Sequence, residues 1–178
     1  MAEISKAYDP KLVEDKIYAL WEKSGFFAPE AHQPRAGNQK KQKTFCILMP
    51  PPNANGSLHI GHAVFVTLQD IMIRYKRMRG FKTLWLPGSD HAGFETQVVY
   101  NKKLEKEGRQ FWQIPKDQLY QEILNFTLAN KKHMESQLKL LGASCDWSRE
   151  KFTLDPAIKV IVYETFKKLY YDGLAYRD

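Results

Sequence analysis

A short apolar run that ends in three prolines places the strongest constraint on how this chain folds. Residues 44–49 read Thr-Phe-Cys-Ile-Leu-Met, which is typical of a buried parallel strand, and the prolines at 50–52 end it. A helical pattern follows over residues 58–79, and Gly80 predicts its end. A second strand is predicted over residues 82–87. The order strand, loop, helix, strand predicts the right-handed crossover of a parallel α/β sheet.

The helix of this unit is predicted to have a capped start and one buried side. Gly56-Ser57 offers the N-cap, because a serine hydroxyl accepts a hydrogen bond from a first-turn amide. Cys46 is predicted to occupy a core position of the first strand. The apolar residues that predict the buried side of the helix are Val64, Leu68, Ile71, Ile73 and Met78.

Two imidazoles lie at the start of this helix. His59 and His62 are three residues apart, so they point to the same side, together with the unpaired amides of the first turn. The helix dipole and the imidazole N–H groups favour an anion whose charge grows during phosphoryl or nucleotidyl transfer. Gly61 leaves bare backbone between the histidines, on which a flat adenine can pack. These residues predict a site for a nucleoside polyphosphate.

Two other interpretations of the histidine pair stand beside this one. The pair could bind a metal ion together with His91, Cys46 or Cys145. The two cysteines are single and widely separated, which disfavours a metal centre, and we predict no metal site. Histidines also occur as ordinary polar residues at helix starts, and the tetrapeptide alone does not decide between that interpretation and phosphate binding.

A carboxylate follows the second strand in a similar loop. Residues 85–93 read Trp-Leu-Pro-Gly-Ser-Asp-His-Ala-Gly, which places Asp90 beyond a strand end and a glycine turn. If the two strands are neighbours, Asp90 and the loop at 50–53 meet in one crevice, where Asp90 would face a cationic group. An N-cap is the alternative role for an aspartate in this position.

Four strings of this sequence carry a family resemblance. They are PPPNANGSLHIGHA, RYKRMRGF, WLPGSDHAG and LLGASCDWSREKFTLD. Together they resemble the N-terminal part of the valyl-tRNA synthetases, class I aminoacyl-tRNA synthetases, from Tyr8 to Tyr176. Isoleucyl enzymes resemble the chain less, since they usually carry Tyr where this chain has Asn53. The resemblance implies an α/β, Rossmann-like nucleotide-binding fold, the first half of a class I synthetase catalytic domain with flanking helices.

The resemblance implies a domain division and a set of ATP contacts. Residues 1–43 would form an N-terminal helix and a polar loop, and residues 44–178 the catalytic half-domain, truncated before the editing insertion. His59 and His62 would contact the ATP phosphates and stabilise the transition state, and Gly61 would lie under adenine. Mg²⁺ would accompany ATP, which is a substrate in this reaction.

The amino-acid contacts implied by the resemblance lie in the two loops. Asp90 and the backbone carbonyls of Pro50 and Pro51 would hold the α-ammonium group of valine, while Asn53 would help close the pocket over ATP and the amino acid. No nucleophile or strong general base is implied, because valine supplies its own carboxylate. The resemblance therefore implies a ligase of protein biosynthesis in which orientation and charge stabilisation carry the catalysis.

The chain lacks one motif that the resemblance leads us to expect. The sequence contains no KMSKS motif, which the family carries on a loop over the triphosphate. The chain is therefore expected to be a truncated piece whose partner is the missing C-terminal half of the enzyme. Only two strands, with a third near residues 174–176, are predicted, which leaves a strand edge open. Alone, the chain is expected to bind ATP weakly, activate valine slowly, charge no tRNA and self-associate.

Other functions remain open from the sequence. One is an isoleucyl synthetase or a nucleotidyltransferase of the same superfamily, and another is a non-catalytic module that binds ATP or tRNA. The net charge of +7 and the pI near 9.3 suit a polyanion such as tRNA(Val), although solvated lysines explain such charge more often. No apolar run approaches the ~20 residues that span a bilayer, and a cytoplasmic protein without membrane contact is predicted.

Three further helices are predicted to support the sheet. Asp9 and Asp155 each precede a proline, which predicts the starts of two helices that end at Gly25 and Gly173. A long helix between them is closed by Gly142. The residues predicted to face inward are Val13, Ile17, Leu20 and Trp21 in the first, Leu119, Ile123, Phe126, Leu138 and Leu141 in the second, and Ile158, Val162, Phe166 and Leu169 in the third.

Overall fold

The computed structural model of this protein describes residues 7–32 and 42–177. Most of the polar stretch predicted as a loop, including Lys40 and Lys41, lies outside the described residues. No helix in the described part of the chain is both long and apolar enough to cross a membrane. The helices and strands, in chain order, are α1 (Pro10–Lys23), β1 (Thr44–Leu48), α2 (Ile60–Met78), β2 (Lys82–Leu86), β3 (Gly88–Ser89), α3 (Gly93–Lys106), α4 (Lys116–Leu140), β4 (Lys151–Phe152) and α5 (Pro156–Tyr171).

The chain divides into two compact units, and α4 contributes residues to both. The first unit comprises residues 1–49, 58–87 and 133–149. The second comprises residues 50–57, 88–132 and 150–178. The division into residues 1–43 and 44–178 that the resemblance implies stays a prediction.

The first unit contains the strand–helix–strand arrangement. β1 pairs in parallel with β2, with Thr44 opposite Lys82 and Leu48 opposite Leu86, so the predicted order and pairing are confirmed. The core of this unit surrounds Trp85, which is fully buried and donates from Nε1 to Gln69 Oε1 at 2.9 Å. The other buried members of this core are Met49, Val66, Ile73, Leu138, Ala143 and Cys145.

The buried side of α2 differs from the prediction. Val66 and Ile73, seven residues apart, are its buried residues. Of the predicted face only Ile73 is buried, and the exposed members are Val64, Leu68, Ile71 and Met78. Cys46 is likewise exposed rather than in the core, because the described residues cover that face of β1 less than its other face.

Polar side chains explain why apolar spacing misplaced the buried side of α2. Arg74 and Arg77 donate to the backbone carbonyls of Gly142 and Ser144, each at 2.7 Å, and Asp70 accepts from the Ser144 amide at 3.1 Å. Burial lowers the pKa of Arg77 to about 10. These part-buried polar side chains therefore satisfy backbone groups of the turn after α4, and they occupy positions that an apolar pattern does not mark.

Helix α1 starts as predicted but buries a different residue. Asp9 caps it, with Oδ1 accepting from the Lys11 amide at 3.0 Å. Tyr18 is its buried residue, whereas Ile17 and Leu20 are exposed. The Tyr18 hydroxyl donates to the Ala143 carbonyl at 2.7 Å and so ties α1 to the turn after α4.

The second unit contains a short parallel pair, helices α3 and α5, and the first part of α4. β3 pairs with β4, with Gly88 opposite Lys151 and Ser89 opposite Phe152. Tyr100 of α3 and Phe126 of α4 pack ring against ring at 5.3 Å between centroids. The chain therefore brings the loops that follow β3 and β4 side by side.

Two predictions for the C-terminal segment are wrong. Helix α5 starts after Asp155 as predicted, but none of its residues is buried, and Val162, Phe166 and Leu169 are exposed. Residues 174–176 form no strand, because the chain turns at Gly173, with φ at +70°, and makes no strand pairing there among the described residues. The apolar pattern of α5 thus correctly predicted a helix, but the described residues do not bury its apolar side.

Candidate active site

The two histidines at the start of α2 cap each other's backbone. His59 is the N-cap residue, and its Nδ1 accepts from the Gly61 amide at 3.1 Å. His62 Nδ1 accepts from the His59 amide at 3.2 Å, which completes a reciprocal capping box. The predicted Gly56-Ser57 cap is therefore wrong, because the histidine imidazole itself takes the place of the serine hydroxyl.

This capping fixes which imidazole nitrogens can donate. A nitrogen that accepts an amide hydrogen carries no proton, so neutral His59 and neutral His62 both hold their proton on Nε2. Partial burial, together with neighbouring His59, holds the pKa of His62 below its usual range and so favours the neutral form. The two ring centroids lie 4.0 Å apart. The pair therefore presents two N–H donors close together, without partners among the described residues.

Three amides at the start of α2 that the sequence predicted to be free are already hydrogen-bonded. The Gly61 amide is bonded to the His59 ring, and the amides of His62 and Ala63 both donate to the His59 carbonyl, at 2.9 and 3.3 Å. The imidazole Nε2–H groups are therefore the side-chain donors that this helix start offers to an anion. The helix dipole still contributes positive potential there.

Gly61 has a second reason to be glycine besides the predicted adenine contact. A Cβ atom at this position would lie 2.9 Å from Cε1 and 3.0 Å from Nδ1 of the His59 ring. The first distance is shorter than real Cβ contacts and the second is tighter than most, so the ring would have to shift. The absence of a side chain at Gly61 thus preserves the capping geometry of His59.

The Gly61→Ala variant is expected to lose activity more than stability. Alanine raises the helix propensity by about 1 kcal/mol, while loss of the cap costs a similar amount, so the free energy of unfolding should change by less than about 1 kcal/mol. For the ATP-dependent activity that the resemblance implies, displacement of the His59 donor should lower the rate by about tenfold or more. Pyrophosphate exchange by a full-length enzyme that carries this segment measures the rate, and thermal unfolding measures the stability. Gly56→Ala is the control, because its Cβ would meet nothing within 4 Å, and an equal loss of activity there would contradict this explanation.

The loop after β1 and the loop after β3 meet in the second unit. Asn53 and Asp90 form a parallel bridge, in which the Asp90 amide donates to the Pro52 carbonyl at 2.9 Å and the Ala54 amide to the Asp90 carbonyl at 2.7 Å. The sequence correctly placed these loops together. The histidine pair belongs to the first unit and the Asn53–Asp90 bridge to the second.

Only one of the two oxygens of the Asp90 carboxylate accepts hydrogen bonds within the described residues. Its Oδ1 accepts from the Ala92 amide at 3.2 Å and from Thr153 Oγ1 at 3.0 Å. Helix α3 starts at Gly93 with Ala92 in the N-cap position, so the N-cap alternative for Asp90 is wrong. The side chain is 37 % exposed, and Oδ2 has no hydrogen-bond partner in the described part of the chain. The second oxygen is therefore available to a cationic ligand.

The remaining predicted residues lie on the same loop. Asn53 is exposed and donates from Nδ2 to Glu95 Oε2 at 2.7 Å. Pro50 and Pro51 are exposed, and their carbonyls accept no hydrogen bond from the described residues. Two groups of this site had no sequence signal. Glu95 lies 42 residues from Asn53, and Thr153 lies 63 residues from Asp90, so only tertiary structure reveals these contacts.

Comparison with known proteins decides the family. The family model of class I tRNA synthetases (I, L, M and V) matches residues 16–178. The chain belongs to the class I tRNA synthetases. This synthetase chain is 49 % identical to a valine-tRNA ligase of Nitratiruptor sp. over 175 residues, which is 96 % of the chain and 19 % of the relative. It is 46 % identical to a valine-tRNA ligase of Thermus thermophilus, covering 98 % of the chain and 19 % of the relative.

A solved structure supports the Rossmann-like fold of this synthetase. The match is a LeuRS of Agrobacterium radiobacter K84, crystallised in a ternary complex with tRNA and LeuAMS, with a TM-score of 0.73 and 24 % identity. The alignment covers 97 % of this chain and 19 % of that one. The predicted fold class, the first half of a class I catalytic domain, is confirmed. The chain spans about a fifth of the length of the curated relatives it matches.

Proposed function

We propose that this chain forms the part of a valine-tRNA ligase that activates valine with ATP. In this reaction the valine carboxylate attacks the α-phosphate of ATP, which gives valyl-adenylate and releases pyrophosphate, and the valyl group then passes to tRNA(Val). The observation that carries the proposal is the capping pair of His59 and His62. Because both Nδ1 atoms accept amide hydrogens, both neutral rings offer Nε2–H groups, the donors that a phosphate under attack requires.

Each predicted residue has a role that its surroundings support. The Nε2–H groups of His59 and His62 would stabilise negative charge on the phosphates, and Gly61 would keep the His59 ring in place and leave room for adenine. Mg²⁺ would arrive on the phosphate oxygens of ATP and neutralise part of their charge. No residue needs to act as a nucleophile.

The amino-acid side of the proposal rests on the second unit. Asp90 Oδ2 and the carbonyls of Pro50 and Pro51 are acceptors without partners among the described residues, as an α-ammonium group with three N–H donors requires. Asn53, anchored on Glu95, would help close the pocket over ATP and the amino acid. Valine as the substrate and tRNA(Val) as the partner are supported by relatives named valine-tRNA ligase at 42–49 % identity. A cytoplasmic location belongs to the same proposal.

Amino-acid-dependent pyrophosphate exchange tests the proposal. The protein for this experiment, called the chimera below, is the Nitratiruptor valine-tRNA ligase with its matching segment replaced by residues 1–178. We expect the chimera to incorporate pyrophosphate into ATP with valine, and to do so far less efficiently with isoleucine or leucine. The chain alone is the matched control, and its exchange rate is expected to be a small fraction of that of the chimera.

The possible outcomes separate the candidate functions. If exchange were greatest with isoleucine, the proposed substrate would be isoleucine rather than valine. ATP binding without exchange for any amino acid would favour a non-catalytic module. Exchange with valine, followed by charging of tRNA(Val), is the result that the proposal requires.

A further inference from the structure

We propose that Thr153 is a positioning residue for amino-acid binding, which acts by orienting the Asp90 carboxylate. This inference rests on the proposed function, since it assigns a support to the residue that would bind the α-ammonium group. Thr153 itself would not touch the substrate. All the contacts that carry the inference lie within the second unit.

The short parallel pair brings Thr153 to Asp90. Ser89, the last residue of β3, lies opposite Phe152, the last residue of β4. Asp90 and Thr153 are the next residue on each strand, and the Thr153 amide donates to the Ser89 carbonyl at 3.2 Å. Because neighbouring parallel strands place successive residues side by side, Thr153 is held next to Asp90 by the backbone.

The hydroxyl group of Thr153 has all of its hydrogen-bonding capacity in use. A threonine hydroxyl can donate one hydrogen bond and accept two. Thr153 Oγ1 donates to Asp90 Oδ1 at 3.0 Å, and it accepts from the His91 amide at 3.0 Å. His91 Nδ1 lies 2.5 Å from the same oxygen. Because the one hydroxyl proton goes to Asp90, the contact with His91 requires the tautomer that carries a proton on Nδ1, and this nitrogen also lies 3.4 Å from Asp90 Oδ1.

This network leaves one carboxylate oxygen free in a fixed direction. Asp90 Oδ1 is bonded to Thr153 and to the Ala92 amide, whereas Oδ2 has no partner in the described ranges. Ala92 adopts the left-handed region with φ at +58°, a strained conformation for a residue with a side chain, and its amide contact with Oδ1 helps to hold it there. A carboxylate fixed at one oxygen loses less side-chain entropy when the other oxygen binds a cation.

Substitution of Thr153 tests this role in the chimera. Thr153→Val removes the hydroxyl and keeps the shape, and we expect it to raise the Kd for valine about tenfold while the Kd for ATP changes less than about twofold. Thr153→Ser keeps the hydroxyl and should restore valine binding. Thr127→Val is the matched control, because the Thr127 hydroxyl, also in the second unit, donates only to the Ile123 carbonyl of its own helix.

Two valine analogues show whether the effect passes through Asp90. Valinol keeps the ammonium group, so Thr153→Val should weaken it about as much as valine. Isovalerate lacks the ammonium group, so its affinity should not change. In the Asp90→Asn background, Thr153→Val should add less than about a twofold further loss, because the two residues act as one unit.

The results that would overturn the inference are distinct from failure of the proposed function. Equal weakening of valine and isovalerate by Thr153→Val, or no weakening of either, would show that Thr153 does not act through Asp90. No valine-dependent exchange by the unsubstituted chimera would reject the proposed function and this inference together. Thermal unfolding of each variant, with Thr153→Ser as the folded reference, identifies a variant that has merely lost stability.

Discussion

Replacement of either histidine at the start of α2 by alanine is expected to lower the rate of valine activation in the chimera by roughly 30- to 1,000-fold. This range corresponds to about 2–4 kcal/mol for one preorganised donor to a developing negative charge. His59→Ala and His62→Ala each remove one Nε2–H group from a pair whose rings lie 4.0 Å apart. Valine affinity should be almost unchanged. Single-turnover formation of valyl-adenylate measures the rate, and equilibrium titration measures the affinity.

The structure supplies controls that separate catalysis from helix capping. His59→Asn keeps an acceptor near the position of Nδ1, and so keeps the bond from the Gly61 amide, but it has no group at the position of Nε2. We expect normal stability and the same loss of rate as for His59→Ala. His133→Ala, on α4, is the control for a histidine outside the capping pair. Recovery of the rate in His59→Asn would show that capping, rather than Nε2 donation, is the function of His59.

Replacement of Asp90 by asparagine is expected to weaken valine far more than ATP. A hydrogen bond to a charged group contributes about 1.5–3 kcal/mol, so the Kd for valine should rise roughly 10- to 150-fold. Oδ1 is already engaged by Thr153 and Ala92, so the loss should come from the interaction at Oδ2. Separate titrations of valine and ATP into the chimera measure the two affinities.

A second aspartate provides the control for Asp90→Asn. Asp155 also lies just after a short strand, and within residues 7–32 and 42–177 its carboxylate accepts only from the Phe152 amide, at 2.9 Å. Asp155→Asn should leave both affinities within about twofold of the unsubstituted chimera, because it removes no proposed ligand contact. If Asp90→Asn weakened valine and ATP equally, Asp90 would support the shape of the loop rather than bind the ammonium group.

Local sequence signals identified the elements that carry the candidate site. The apolar run before the three prolines, the helical pattern after them and Gly80 placed β1, α2 and β2, and β1 pairs in parallel with β2 as expected. These predictions were correct because a proline or a glycine with positive φ determines where an element ends through its effect on the few residues next to it. The same locality identified His59 and His62 as neighbours, since residues three apart at a helix start always lie close together.

The packing faces of the helices could not be predicted in this way. The part-buried Arg74 and Arg77 of α2 donate to carbonyls of the turn after α4, and that turn lies about 70 residues further along the chain. Apolar spacing therefore placed Leu68 and Ile71 inside, whereas both are exposed. Helix α5 gave an equally clear apolar pattern and buries nothing within the described residues.

The sequence by itself determined the family and the order of the main elements, and it supplied the candidate site residues as a prediction, because each of these inferences uses residues that are near one another along the chain. Only the tertiary structure decided which hydrogen bonds orient the side chains of these residues. It showed that the two imidazoles cap the start of α2 through Nδ1 and so leave their Nε2 atoms as donors, while the amides of Gly61, His62 and Ala63 are already bonded. It also showed that Thr153 fixes one oxygen of Asp90 across 63 residues of sequence. Hydrogen bonds of this kind depend on strand pairing, and no local pattern in the chain encodes which distant residue will arrive as the partner.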